Sequence, residues 1–435
     1  LATNNAALTV TGTTNAVAGG VGIISEGTGV AVYTGNFTIG TFNLNSVVAL
    51  AHFGGDATFV TVSNPIGSTI DFNGSGAQIV RPNGQTFDTV TLNGVVGSRV
   101  SWSGTSTVGN VTIGANSELR LDGSVVPGNV TMTVSAGKTI TNNGIFSLDD
   151  VSHLRTLTLQ GSAASANYSG NDIAWGGNNL TVGNLVYGPA ATLPSGTTVT
   201  LNNGVTFTNG VTVQSGATLA VGTQVLTLGA DSSFAGTVNV SGGTGQIAAG
   251  AHAIVNTGTM NFQTANGGSM VCGAFTSSGT VNNTFTNTIT ASGNVAISGT
   301  FGTPGNSTIV MTGSGTTINT AVQVGSLTLN SPASVTVVTS GLNLSGDLTV
   351  NNGASLTDAT NNRGMSIGGN ATITWTGSVT SGSTACVVTG TTSGTGAWIG
   401  GAGALTFTGD FTLSALTESS STTTFGGSTV TLSTY

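Results

Sequence analysis

Residues 199–229 read VTLNNG, VTFTNG, VTVQSG, ATLAVG and TQVLTLG, five short segments each closed by a glycine. Within the first four, apolar residues alternate with small ones, as in Val199-Thr200-Leu201, Val205-Thr206-Phe207, Val211-Thr212-Val213 and Leu219-Ala220-Val221. Alternation with period 2 is the signature of a strand with one buried face. A strand of three or four residues followed at once by a turn and another strand cannot bury its inner side chains alone. It must stack on copies of itself, and the product is a solenoid.

Working outward, the phrase Gly-[Asn/Asp]-apolar-[Thr/Ala]-apolar recurs along the chain. It begins at Gly35, Gly109, Gly128, Gly293, Gly346, Gly369 and Gly409. Gly109 and Gly128 lie 19 apart, Gly346 and Gly369 lie 23 apart, and Gly369 and Gly409 lie 40 apart. The spacing predicts an all-β, parallel β-helix with coils of 19–23 residues, the last interval spanning two coils. Leu157-Thr158-Leu159 and Leu180-Thr181-Val182, 23 apart, agree, as do Leu327-Thr328-Leu329 and Leu348-Thr349-Val350, 21 apart. Gly and Asn suit the turns, because both tolerate positive φ and Asn bonds its own backbone. The Asn pairs at 142–143, 178–179, 202–203, 282–283, 351–352 and 361–362 fit either amide ladders between stacked turns or plain turn residues.

Composition agrees with a stacked core. The 435 residues include 69 Gly, only 7 Pro, 5% charged residues and 6% aromatics, so the chain is neither the charged, apolar-poor type that stays disordered nor collagen. One elongated solenoid over 1–435 is expected, of about 20 coils and on the order of 100 Å. The net charge is −8 and the six basic residues are scattered singly, which argues against nucleic acid as a partner. No apolar run of about 18 residues occurs, so no transmembrane helix is expected. The chain begins at Leu1 with no basic and apolar leader, consistent with a leader already removed. Cys272 and Cys386 fall five or six coils apart, on the order of 25 Å, and are expected to be free and buried.

Phe37, Phe42, Phe53, Phe59, Phe72 and Phe87 are expected to form an internal aromatic stack. Residues 1–30 read as an N-terminal cap or assembly segment. Segment 160–178 breaks the alternation and reads as a protruding loop; 242–252, 263–270 and 390–404 are similar. The run 428–434 is still strand-like, so 405–435 is a candidate assembly edge, with Val430, Leu432 and Tyr435 on it. The alternative is a cap or anchor supplied by a larger precursor.

The densest charge cluster is Asp149, Asp150, His153 and Arg155, with Glu118, Arg120 and Asp122 about one and a half coils earlier. Asp149 and Asp150 are weak Ca²⁺ candidates, and adjacent strand positions point them to opposite faces, which weakens a shared catalytic site. No catalytic residue and no cofactor other than Ca²⁺ is indicated. His52, His153 and His252 lie about 100 residues apart and form no legible metal motif; Asp71 and Asp88 are 17 apart with nothing gathered around them. Tyr168, Trp175 and Tyr187 in the suspected loop, and Trp375 and Trp398, 23 apart, are the aromatic candidates for contact with a glycan or receptor.

The hexads and the Gly-Asn/Asp phrases together resemble the β-solenoid passengers of bacterial autotransporter adhesins and filamentous-haemagglutinin-like exoproteins. That resemblance implies an extracellular, cell-surface, non-enzymatic structural or adhesive protein that self-associates into a fibre, filament or layer. Two other readings remain open: a phage or viral tail fibre or tailspike, and a polysaccharide-degrading β-helix enzyme.

Overall fold

The computed structural model describes residues 1–435 except 3–5, 16–22, 27, 45–48, 64–65, 124–128, 150–156, 163–165, 176–178, 242, 264–266, 420–421 and 435. Strand makes up 59% and helix 1%, and the strands stack in parallel as a β-solenoid of about 18 turns. The expected fold class is therefore the observed one. The chain divides into two compact units, Leu1–Val211 with Gly216–Thr218, and Thr212–Ser215 with Leu219–Tyr435. Among the described residues no helix is long and apolar enough to cross a membrane.

In the first unit the period-2 pattern becomes stacked inward columns. Met132, Leu159, Val182 and Leu201 lie in register on successive coils and are all buried. A second face is a nine-stranded parallel sheet that includes Phe37–Leu44, Ala57–Ser63, Ala77–Arg81, Ser98–Trp102, Ser117–Asp122 and Ile145–Asp149. Inside it the expected aromatic stack is present. Tyr33 lies parallel to Phe53 at 5.3 Å, Phe59 meets Phe87 edge-on at 5.2 Å, and Phe87 meets Trp102 at 5.7 Å. Offset and edge-on pairs of this kind stabilise by about 1 kcal/mol each beyond the area they bury.

Coil length in this unit is wider than the predicted 19–23 residues. His52 pairs with Asp71 one coil on, 19 residues away, whereas Thr112 pairs with Thr141, 29 away. The segment 160–178 also differs from expectation. Its described residues contribute strands Leu157–Gly161, Ala166–Gly170 and Ile173–Ala174 to the coils rather than a protruding loop. Within 1–30, strands Leu8–Val10 and Ile23–Glu26 already pair with later coils.

The second unit is more regular. Val238, Met260, Val281 and Phe301 form one column. Leu327, Leu348, Ala371, Thr392 and Phe411 form another. A five-stranded sheet, Leu342–Leu344, Met365–Ile367, Cys386–Val388, Leu405–Phe407 and Thr423–Phe425, supplies a further face. The blander segments expected as loops carry strands here: Gln246–Ala248, Gly268–Cys272, Thr392–Gly394 and Ala397–Gly400. Cys272 and Cys386 are free and buried, as the spacing predicted. Burial pushes the Cys272 thiol from its ordinary 9.0 up to about 12 and raises that of Cys386 as well.

The recurring Gly-[Asn/Asp] phrase has a physical basis other than the one expected. The Asn or Asp side chain accepts a backbone N–H of the next coil. Asn36 takes that of Asp56 at 3.1 Å, Asp56 takes that of Ile79 at 2.8 Å, Asp347 takes that of Asn370 at 2.7 Å, and Asn370 takes that of Thr391 at 2.9 Å. The preceding glycine lets the coils approach. A Cβ at Gly409 would lie 2.6 Å from the Gly390 carbonyl oxygen, closer than real Cβ atoms come. Amide ladders do form, both on strands, where Asn261 donates to Asn239 at 2.6 Å and Asn282 to Asn261 at 2.7 Å, and at stacked turns, where Asn351 donates to Asn330 at 2.7 Å.

Candidate functional site

One corner of the second unit is built from a repeated small-Gly-Thr turn. It occurs as Ala235-Gly236-Thr237, Thr257-Gly258-Thr259, Ser278-Gly279-Thr280 and Ser298-Gly299-Thr300. At each step both the small residue and the glycine donate their N–H to one carbonyl of the preceding coil. Thr257 and Gly258 donate to Phe234, Ser278 and Gly279 to Asn256, and Ser298 and Gly299 to Ser277. A side chain at Gly279 would run into the Gly258 carbonyl, so the column requires glycine.

The column then stops. Strand Thr300–Phe301 pairs with Thr280–Asn283 on one side and has no partner strand on the other among the described residues. Beyond it the chain makes the 3₁₀ turn Pro304–Asn306, and the coil that follows brings Val322 and Gln323 to this corner in place of another Gly-Thr turn. The mismatch opens a groove of about 550 Å³. Ser278, Thr280, Ser298, Thr300 and Gln323 line it, and their side chains hold no hydrogen-bond partner within the described residues. No charged residue lines the groove. The sequence reading missed this site, although the Gly-Thr pairs at 236, 258, 279 and 299, spaced by 22, 21 and 20 residues, are visible in it.

A second polar constellation lies on the outward face of the first unit. His52 Nδ1 donates to Asp71 Oδ2 at 2.6 Å, while Thr91 Oγ1 and Asn93 Nδ2 donate to Asp71 Oδ1 at 2.5 and 2.8 Å. The register sets His52 beside Asp71 and Asp71 beside Thr91 on three successive strands. The sequence reading left Asp71 without neighbours, and the structure corrects this. Asp88 does gain a cation, Lys138 Nζ at 3.4 Å, two coils away.

Four of the five aromatic contact candidates are core residues. Tyr168, Trp175, Tyr187 and Trp398 are all at most 2% exposed. Tyr168 stacks on Tyr187 at 4.7 Å, and Trp175 packs against Tyr187 at 5.6 Å. Their polar tips are satisfied inside. Asn142 donates to the Tyr168 hydroxyl at 2.9 Å, and Asp172 accepts from the Tyr187 hydroxyl and, at 3.0 Å, from Trp175 Nε1. Burial raises the ionisation of both phenols above the ordinary 10.0. Trp398 meets Phe407 edge-on at 5.2 Å and aligns with Val379 rather than with Trp375. A glycan-stacking face at these four positions is thereby excluded. Trp375 alone of the five is at the surface, 77% exposed, at φ +50° in the turn that Gly377 N–H closes on the Thr374 carbonyl.

Of the charge cluster, Asp150, His153 and Arg155 lie outside the described residues. Strand Ser117–Asp122 is one coil, not one and a half, from Ile145–Asp149, and Asp122 pairs in register with Asp149. Glu118 accepts from Arg120 Nε at 3.2 Å and from the Ser147 hydroxyl. Among the described residues no group of three or more His, Cys, Asp or Glu side chains could hold a metal ion. Of the edge candidates, Val430 and Leu432 sit in strand Val430–Thr434, paired with Phe411–Glu418 on one side; Tyr435 lies outside the described residues. Val430 is 47% exposed although its register partner Phe411 is buried.

Fold and geometry together define a parallel β-solenoid whose outer faces are poor in charge. No protein-family model, curated protein or solved structure matches the chain.

Proposed function

We propose that the chain is a secreted, non-enzymatic structural and adhesive protein that self-associates through its outer faces into a fibre or layer at the cell surface. The observation that carries this reading is the outer surface, where the apolar side chains of Val60, Ile66, Val95 and Val96 are exposed at 52%, 77%, 56% and 81%. Exposed apolar side chains on a surface poor in charge favour contact with another copy. Outer faces of Thr, Ser and Asn with a charged fraction of 5% suit close lateral contact without charge repulsion.

Electron microscopy of the purified protein across a concentration series tests the reading. Filaments or sheets that lengthen with concentration, and that Ile66→Lys/Val96→Lys suppresses while the far-ultraviolet circular dichroism is unchanged, are the expected result. A protein that stays monomeric at every concentration, or forms discrete trimers of the tail-fibre kind, overturns it.

A further inference from the structure

We propose that the groove at the end of the Gly-Thr column binds a neutral saccharide. The inference rests on the adhesive half of the function proposed above and gives it a place and a ligand class. Three observations carry it. First, the groove is a consequence of the fold: the ladder that ends at Thr300–Phe301 is not continued by the next coil, so the surface steps inward there. Second, its polar groups are unspent. One coil earlier the outward amides of Asn261 and Asn282 are spent within a ladder. Here four hydroxyls and the Gln323 carboxamide are without a partner among the described residues, and they present both donors and acceptors. Third, Phe301, Pro304 and Val322 add apolar surface beside them.

A hexose has the complementary character, with a rim of hydroxyls that donate and accept and faces of C–H groups that pack on apolar surface. A recess of 550 Å³ lies within the usual range for small-ligand sites. The absence of any charged lining residue selects against sialylated, sulfated or uronic-acid ligands, whose charge would be desolvated without compensation. An extended peptide adding to the open edge of Thr300–Phe301 is the competing occupant. That strand is two residues long, too short to fix the register of an added strand.

The test is an array of neutral oligosaccharides beside sialylated and sulfated ones and a library of extended peptides. Calorimetric titration of the neutral hits follows, against the full chain and two surface variants. Ser298 and Gln323 are exposed, so Ser298→Ala and Gln323→Ala leave the core intact, and circular dichroism confirms this. The expected result is binding confined to neutral glycans, weakened at least tenfold by the Ser298→Ala/Gln323→Ala double variant and unchanged by Trp375→Ala. Binding of acidic glycans or peptides only, no binding by any neutral glycan, neutral binding untouched by the double variant, or binding lost with Trp375→Ala would each overturn the proposal. Filament formation is read independently, since neither groove variant touches Ile66 or Val96.

Discussion

His52 Nδ1 lies 2.6 Å from Asp71 Oδ2, and the two residues occupy the same outward position on adjacent coils. Asp71 in turn accepts from Thr91 and Asn93 on the following coil, so one carboxylate ties three coils together. It is nearly buried, at 3% exposure, and its acceptor capacity is spent on side-chain donors. This is the solenoid's way of using charge: a single acceptor placed between coils rather than a surface ion-pair network.

Replacing Asp71 with Ala leaves three donors without their acceptor. Hydrogen bonds to a charged group contribute about 1.5–3 kcal/mol each, and the partial exposure of His52 and Asn93 discounts the sum to about 2 kcal/mol. In a stacked array that loss is felt locally. Amide exchange in Leu50–Phe53, Thr69–Phe72 and Thr86–Leu92 should therefore accelerate roughly 30-fold, with strands in the second unit unchanged. Exchange that accelerates equally everywhere would mean that the site is not a local clamp.

Asp410 continues the same device near the C-terminal edge. Its Oδ1 accepts from Thr429 N–H at 3.0 Å and from the Ser428 hydroxyl and N–H at 3.1 and 2.9 Å. The Thr429 bond first, then those from Ser428, hold its carboxyl below the ordinary 3.8. A carboxylate whose ionisation is favoured in the folded state contributes above its unfolded value and stops contributing as pH falls through the folded one. The Ser428 and Thr429 amide resonances should thus shift in an acid titration with a midpoint below 3.8. Asp410→Asn should abolish that shift, and a midpoint above 3.8 would contradict the geometry.

The alternation of Val199-Thr200-Leu201 and its neighbours was enough to predict parallel stacked coils, because a strand so short has no other way to bury its inner face. The phenylalanines at 37–87 were legible as core for the same reason. Which outward residues meet was not. Register follows from coil length, and coil length runs from 19 at His52–Asp71 to 29 at Thr112–Thr141. Tyr168 was misplaced through the same uncertainty. In Ala166–Gly170 it shares the inward parity of Ala166, but the segment's irregular composition hid the strand. The groove was hidden for another reason. It arises where the Gly-Thr turn fails to recur after Thr300, and an absent repeat is a weak signal in a degenerate array.

Raising the pH should destabilise the folded chain on the alkaline side only. In the unfolded chain thiols ionise near 9.0 and phenols near 10.0, whereas in the fold burial holds Cys272 protonated to about 12 and raises Cys386, Tyr168 and Tyr187 as well. The unfolded state then binds fewer protons than the folded state, and stability falls by about 1.4 kcal/mol per pH unit for each group once the pH passes the unfolded value. Urea midpoints should be flat from pH 7 to 8.5 and decline from 9 upward. Cys272→Ala/Cys386→Ala should flatten the stretch between 9 and 10. A midpoint that rises over this interval would contradict the burial of the thiols.

Two tryptophans give opposite expectations. Trp398 is fully buried against Phe407, and its replacement by Ala removes a large core side chain, at a cost of about 3–5 kcal/mol. Trp375 stands in solvent at φ +50°, a conformation that disfavours any side chain. Trp375→Gly relieves that strain and should stabilise the turn by about 1 kcal/mol. The same contrast is readable by fluorescence, because Trp102, Trp175 and Trp398 are buried. Acrylamide should quench one red-shifted component in the native protein, and Trp375→Phe should remove it. If the quenchable component survived in that variant, one of the three buried indoles would have to be at the surface, and the inward parity assigned to its strand would be wrong.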